Sequence, residues 1–110
     1  MQGGGSAVRL VSLCAVGDLP ADGGLRSFEV EGREICVAND GGRYAAVDNV
    51  CPHRGGPLAE GSIEDGCVLC PWHAWAFSLA SGAASHDGAQ TVEVFPLEIQ
   101  GSDVKVALGE

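Results

Sequence analysis

The chain has 110 residues, enough for one domain and too few for two of ordinary size. Hydrophobic residues make up 45% and glycine fills 17 positions, which suits a turn-rich globular domain and not a disordered chain. The net charge of −9 argues against nucleic acid, whose phosphates would repel such a surface, and favours docking on basic protein partners.

The first residues, MQGGGSA (1–7), read as a flexible tail, and the domain is expected over 8–108. They lack a basic region followed by an apolar run, so no signal peptide is expected. Nothing in the chain approaches the roughly 18 apolar residues of a membrane helix. Five cysteines, an odd number without an export signal, point to a reducing compartment and to ligands more than to disulfides. The cytoplasm is the expected location.

VRLVSL (8–13) is the first predicted strand. FEV (28–30) and EICVA (34–38) flank a turn at Glu31-Gly32, a hairpin signal. NDGG (39–42) turns the chain into RYAAVDNV (43–50), and IEDGCVL (63–69) carries a further Asp-Gly turn. WAFSLASG (75–82) reads as a strand ending at Gly82. TVEVFPLEI (91–99) alternates Val92 and Val94 against Thr91 and Glu93, and with VKVAL (104–108) it predicts a hairpin with one buried face. Helix signals are almost absent. Strands recur every 8 to 12 residues, the spacing of small β sandwiches and barrels, so the expected fold is a single all-β domain.

Two stretches carry the chemistry: CPHRGGPL (51–58) and CPWHAW (70–75). Together they give Cys51-x-His53, sixteen intervening residues, and Cys70-x-x-His73. Each begins Cys-Pro after a predicted strand. Proline fixes φ and removes an N–H, which stiffens a loop that must present a ligand in one direction. Gly55 and Gly56 permit the close backbone approach that wrapping a metal centre needs. Zinc accepts two thiolates and two imidazoles, but its common structural spacing pairs Cys with Cys and His with His. Here each loop supplies one of each. That interleaving suits a binuclear [2Fe–2S] centre with both thiolates on one iron and both imidazoles on the other. A structural zinc domain used for binding partners is the alternative.

The two loops resemble those of the Rieske family, and the similarity runs from about Val8 to Leu108. The resemblance implies a small antiparallel Rieske-type β sandwich or barrel with a cluster-binding subdomain at one tip, and one Rieske-type [2Fe–2S] cluster. Cys51 and Cys70 would hold the inner iron, with His53 and His73 on the outer one. Respiratory members carry an extra cysteine in each loop, paired as a disulfide; the matching positions here are Gly56 and Trp72. Their serine and tyrosine that donate to sulfur correspond to Trp75 and Phe77, which lack a hydroxyl. A reduced cluster with fewer such bonds is less stabilised, so a potential near the low end of the Rieske range, about −150 mV, is expected. The ferredoxin-type members also bear a proline in a third loop, which SGAASHDGAQ (81–90) lacks, and Ala74 stands where many have glycine.

Oxygenase chemistry needs a second iron on two histidines and a carboxylate, and three histidines, two of them in the motif, leave only His86. No strand is followed by the G-x-G-x-x-G of a nicotinamide or flavin site. The reading is an electron-transfer protein without substrate machinery. It would take electrons from a flavoprotein reductase and pass them to a terminal oxygenase. The similar small subunit of an assimilatory nitrite reductase, bound to its large subunit, is the alternative. Cys14, Cys36 and Cys67 read as packing residues, and His86 as a surface residue. Trp72 and Trp75 shield the centre or fill the core, and Arg54 is either a docking-rim or a solvated arginine. Glu60, Glu64 and Asp65 lie between the loops, where they either steer a basic reductase or only keep the protein soluble.

Overall fold

A computed structural model of the protein describes residues 8–52, 55–71, 75–84 and 91–109. These form ten strands: β1 (Val8–Ala15), β2 (Leu25–Val30), β3 (Arg33–Asp40), β4 (Arg43–Asp48), β5 (Ser62–Glu64), β6 (Cys67–Leu69), β7 (Ala76–Ser78), β8 (Val94–Phe95), β9 (Leu97–Gln100) and β10 (Asp103–Gly109). Single 3-10 turns at Val16–Asp18 and Leu58–Glu60 are the only helical pieces among the described residues. The expected all-β class holds.

The hairpins follow from two-residue turns whose backbone twist matches that of the strands they join. Glu31 and Gly32 both have positive φ, 52° and 80°, and connect β2 to β3 with Val30 opposite Arg33. Asp65 and Gly66, at 53° and 76°, do the same between β5 and β6. The NDGG turn is tighter than its four letters suggest. Asn39 and Asp40 remain in β3, paired with Tyr44 and Arg43, and only the two glycines turn.

Three antiparallel sheets result, in the strand orders β1-β10-β9, β2-β3-β4-β8 and β5-β6-β7. The middle sheet is covered on both faces, and β3 shows it residue by residue. Ile35 and Val37 join Ala46, Phe95, Val106 and Leu108 in one core, shared with the β1-β10-β9 sheet. Cys36 and Ala38, pointing the opposite way, join Val47, Leu58, Val68 and Phe77 in a second core, shared with the β5-β6-β7 sheet. This is why ICVA (35–38) is continuously apolar and not alternating: neither of its faces meets water. Residues 35–39 are all buried.

Two expectations need correction. The stretch 75–82 is a strand only over Ala76–Ser78. Beyond it the Ser78 hydroxyl accepts from the N–H groups of Ala80 and Ser81, and Gly82 N–H donates to Ser78 O at 2.7 Å, so the chain curls. The stretch 91–99 is two strands in two sheets. β8 pairs with β4, placing Phe95 opposite Ala46, while β9 pairs with β10. Pro96, with no N–H to give a ladder, sits at the crossing, and its carbonyl accepts from Ala107 N–H at 2.9 Å.

Two predictions follow from this packing. Gly82 has φ +81°, and a Cβ there would overlap the Val92 carbonyl oxygen. Gly82→Ala is therefore expected to lower unfolding free energy by about 2–4 kcal/mol, through strain and displaced backbone; a change within about 0.5 kcal/mol in denaturant unfolding would contradict this contact. Cys36 is fully buried, and burial pushes its thiol from the ordinary 9.0 up to about 12. Between those values the unfolded chain releases a proton that the fold retains, so this group's stabilisation is lost as pH rises. The melting temperature should fall more steeply from pH 8 to pH 10.5 in the native protein than in Cys36→Ala; equal slopes would be evidence against the raised thiol.

Candidate metal centre

The first motif cysteine stands just past the end of β4. The Asp48 carboxylate accepts from Val50 N–H at 3.0 Å, fixing the turn out of the strand. Val50 forms a bridge with Pro57, so the two chain segments meet at the base of the loop. Within it, Cys51 N–H donates to Gly56 O at 2.9 Å and Gly55 N–H returns to Cys51 O at 2.7 Å. Gly55 has φ 78°, which a side chain would strain. The loop thus closes on itself through the backbone and leaves Cys51 only 1% exposed.

The second motif cysteine belongs to the β6–β7 hairpin. Leu69 lies opposite Ala76, and Cys70 N–H donates to Trp75 O at 2.7 Å, carrying the ladder one step past the strands. Cys70 is 2% exposed. It shares with Cys51 the second core, among Leu58, Val68 and Phe77. Trp75 packs against this core, with its ring centroid 6.2 Å from that of Phe77 and the planes tilted by 40°. This packing fits the core-filling role read for Trp75. Gly61, which follows the Leu58–Glu60 turn, lies so near the Leu69 carbonyl that no Cβ fits between them. The exit of the first loop and the entry of the second are therefore pressed together.

Cys51 and Cys70 have almost no access to water, in a cluster that is apolar apart from them and Cys36, and they suit sulfur donors to a metal. A thiolate there is costly unless a cation meets it. The next residue in each loop, Pro52 and Pro71, is exposed, so both loops pass from the interior to the surface within one step. Inner cysteines with outer partners further along is the arrangement the motif calls for. His53 and His73 lie outside the described residues, as do Arg54, Trp72, Ala74 and His86.

The remaining candidates fall elsewhere. Cys36 is core. Cys14 is half-buried beside a bulge in β1, and burial, reinforced by the Asp18 charge, pushes its thiol up. Cys67 is paired with Ser78 and Glu64 in the small sheet, partly buried. Glu60, Glu64 and Asp65 are exposed. Glu64 and Asp65 sit at the opposite end of the β5–β6 hairpin from Cys70, so they act on the centre only at a distance.

One residue of this region was not picked out in the sequence. Asn49, 2% exposed, uses both its backbone and its side chain at the base of the first loop. Its N–H donates to Glu34 O at 2.9 Å, and its carbonyl accepts from Leu58 N–H at 2.8 Å. Its Nδ2 donates to Glu34 Oε1 at 3.1 Å, and its Oδ1 accepts from Ala59 N–H at 2.8 Å. Its position two residues before the motif was the available signal. Beside it, a cavity of about 270 Å³ is lined by Gly32, Arg33, Glu34, Asp48, Val50 and Phe95.

Comparison with known proteins agrees with this geometry. Residues 9–96 match the Rieske [2Fe-2S] domain family. The ferredoxin component of the alkene monooxygenase system of Xanthobacter autotrophicus is 35% identical over 90% of this chain and 81% of its own length. The ferredoxin component of biphenyl 2,3-dioxygenase from Rhodococcus jostii is 34% identical over 90% of this chain and 92% of its own. Among solved structures, a ferredoxin of Sphingomonas yanoikuyae B1 superposes with a TM-score of 0.80 at 26% identity, covering 91% of this chain and 99% of that one. A Mycobacterium tuberculosis protein assigned as a nitrite reductase small subunit shares the fold, with a TM-score of 0.78 at 23% identity, covering 94% of this chain and 96% of that one. With the two motif cysteines in one buried cluster and the family match spanning most of the length, the chain belongs to the Rieske [2Fe–2S] family and carries one cluster of that type.

Proposed function

We propose that the protein is a one-electron carrier, a Rieske-type ferredoxin that accepts electrons from a flavoprotein reductase and delivers them to a terminal oxygenase. The observation that carries this reading is the pair of Cys-Pro loops whose cysteines lie in one buried cluster. The names of the two curated relatives, both ferredoxin components of oxygenase systems, favour an oxygenase as acceptor. The likeness to the nitrite reductase small subunit is one of fold, so that assignment takes second place. The protein would act within a multi-protein oxidoreductase system and not as an enzyme by itself, with 8–108 as its working domain after a tail at 1–7. A cytoplasmic setting fits the reduced cysteines, and no helix among the described residues is long and apolar enough to cross a membrane.

In this reading Cys51 and Cys70 hold the inner iron, and His53 and His73 hold the outer one. The bound cluster supplies reversible one-electron chemistry, tuned by its ligands and surroundings. The chain supplies the surroundings. Leu58, Val68 and Phe77 wall the thiol side from water. The amides of Cys51 and Cys70 already donate to the carbonyls of Gly56 and Trp75. Trp75 and Phe77 offer no hydroxyl. Without such a hydroxyl a reduced cluster is less stabilised, which favours a low potential.

The decisive experiment is EPR of the dithionite-reduced protein with iron and zinc measured on the same sample. A rhombic signal of mixed histidine and cysteine ligation is expected, and its loss in His73→Ala would tie it to the second loop. Colourless protein that holds zinc and no iron would overturn the carrier reading. Voltammetry should place the potential at about −150 mV; a value well above zero would remove the protein from the oxygenase-ferredoxin group.

A further inference from the structure

Asn49 and Glu34 do more than fill hydrogen bonds at a strand end, and we propose that they form a clasp that holds the first cluster loop shut. Asn49 is then a positioning residue for Cys51 and through it for the cluster, an inference that rests on the carrier reading above.

The argument begins with chain geometry. The loop carrying Cys51 leaves β4 at Asp48 and runs to the Leu58–Glu60 turn. Among the described residues its two ends are joined by the single Val50–Pro57 bridge, whose bonds run from Cys51 N–H to Gly56 O and from Leu58 N–H to Asn49 O. Asn49 takes part in that bridge and adds a side-chain bond to it. Its carbonyl takes the Leu58 amide and its side-chain oxygen takes the Ala59 amide, both at 2.8 Å. The exit of the loop is thus held by the residue at its entry. The same residue is anchored from the other side, where the Glu34 backbone and carboxylate hold the Asn49 N–H and Nδ2.

The chemistry of the pair sets the direction of each bond. A side-chain amide presents a donor and an acceptor at once, and this position needs both. Glu34 requires a donor opposite it, and Ala59 N–H requires an acceptor. Aspartate at 49 would keep the bond to Ala59 but set a carboxylate against Glu34. Alanine would lose both bonds and leave the half-buried Ala59 N–H without its acceptor. Exchanging the roles, with glutamine at 34 and aspartate at 49, restores donor to acceptor throughout. Residues outside the ligand set that orient a ligand commonly change metal retention 10–100-fold when removed.

The test uses the cluster-loaded protein and follows loss of the cluster to an iron chelator. Asn49→Ala and Asn49→Asp should each lose the cluster about tenfold faster than wild type, with a broadened EPR signal. The double variant Glu34→Gln with Asn49→Asp should return to within about threefold of wild type. Val106→Ala, in the other core, serves as a control for general destabilisation. If Val106→Ala lowers the melting temperature as much as Asn49→Ala and loses the cluster as fast, the clasp has no special role and the proposal falls. It falls also if the double variant is no better than Asn49→Asp. Exchange of the Ala59 amide, read by NMR, should accelerate in Asn49→Ala while the β1–β10 amides keep their protection. A wild-type sample lacking the Rieske EPR signal would overturn the carrier reading alone, since the Ala59 measurement needs no cluster; unchanged Ala59 protection would overturn the clasp alone.

Discussion

Two sulfur atoms must be taken out of water at points where the chain has just left a sheet, and most of this small fold serves that demand. Thiolates are poorly tolerated in an apolar interior unless a metal faces them, and the loops that carry them have few strand bonds of their own. The solution visible here is backbone closure at very short range. Each cysteine amide is donated to a carbonyl a few residues on, Gly56 for Cys51 and Trp75 for Cys70. The loops need no disulfide to hold them together. They are stacked by the close approach of Gly61 to the Leu69 carbonyl and by a shared floor of Leu58, Val68 and Phe77.

Much of this was legible in the sequence, because the features that carry it are local. Cys-Pro followed closely by histidine, twice, is a ligand pattern that packing alone does not explain. The Glu31-Gly32 and Asp65-Gly66 turns announce hairpins, because few residue pairs accept two successive positive φ angles. Where the sequence misled, a non-local partner decided the outcome. The stretch 75–82 alternates well enough for a strand, but the Ser78 hydroxyl captures two amides and turns the chain. Val94 to Ile99 looks like one strand because hydrophobic pattern does not reveal that Pro96 is the point of transfer from one sheet to another. Asn49 was invisible for a related reason. Nothing in DNVC tells which of two adjacent polar residues is buried, since that depends on Glu34 and Ala59 arriving from elsewhere in the chain.

The distribution of charge complements this design. The buried layers among the described residues are nearly free of polar side chains, Asn39 and Asn49 being the exceptions, and both are fully engaged with backbone or side-chain partners. Ionic contacts lie on the surface. Arg9 forks onto Glu31, tying β1 to the β2–β3 turn, and Arg33 sits over the Phe95 ring while meeting Glu93. Such exposed pairs add little stability. They leave the acidic excess free to set the field that an approaching partner meets.

The alternation along β3 has a consequence for how the molecule comes apart. Ile35 and Val37 are committed to one core, Cys36 and Ala38 to the other, with no spacer between them. A strand that belongs to two interiors gives neither a boundary at which to fail separately. The sulfur-bearing end cannot melt as a detachable module while the far sheet persists, because the backbone it would surrender is also the wall of its neighbour. Unfolding at one pole of the molecule therefore draws on the stability of the whole, and a protein emptied of its iron is expected to weaken beyond the tip.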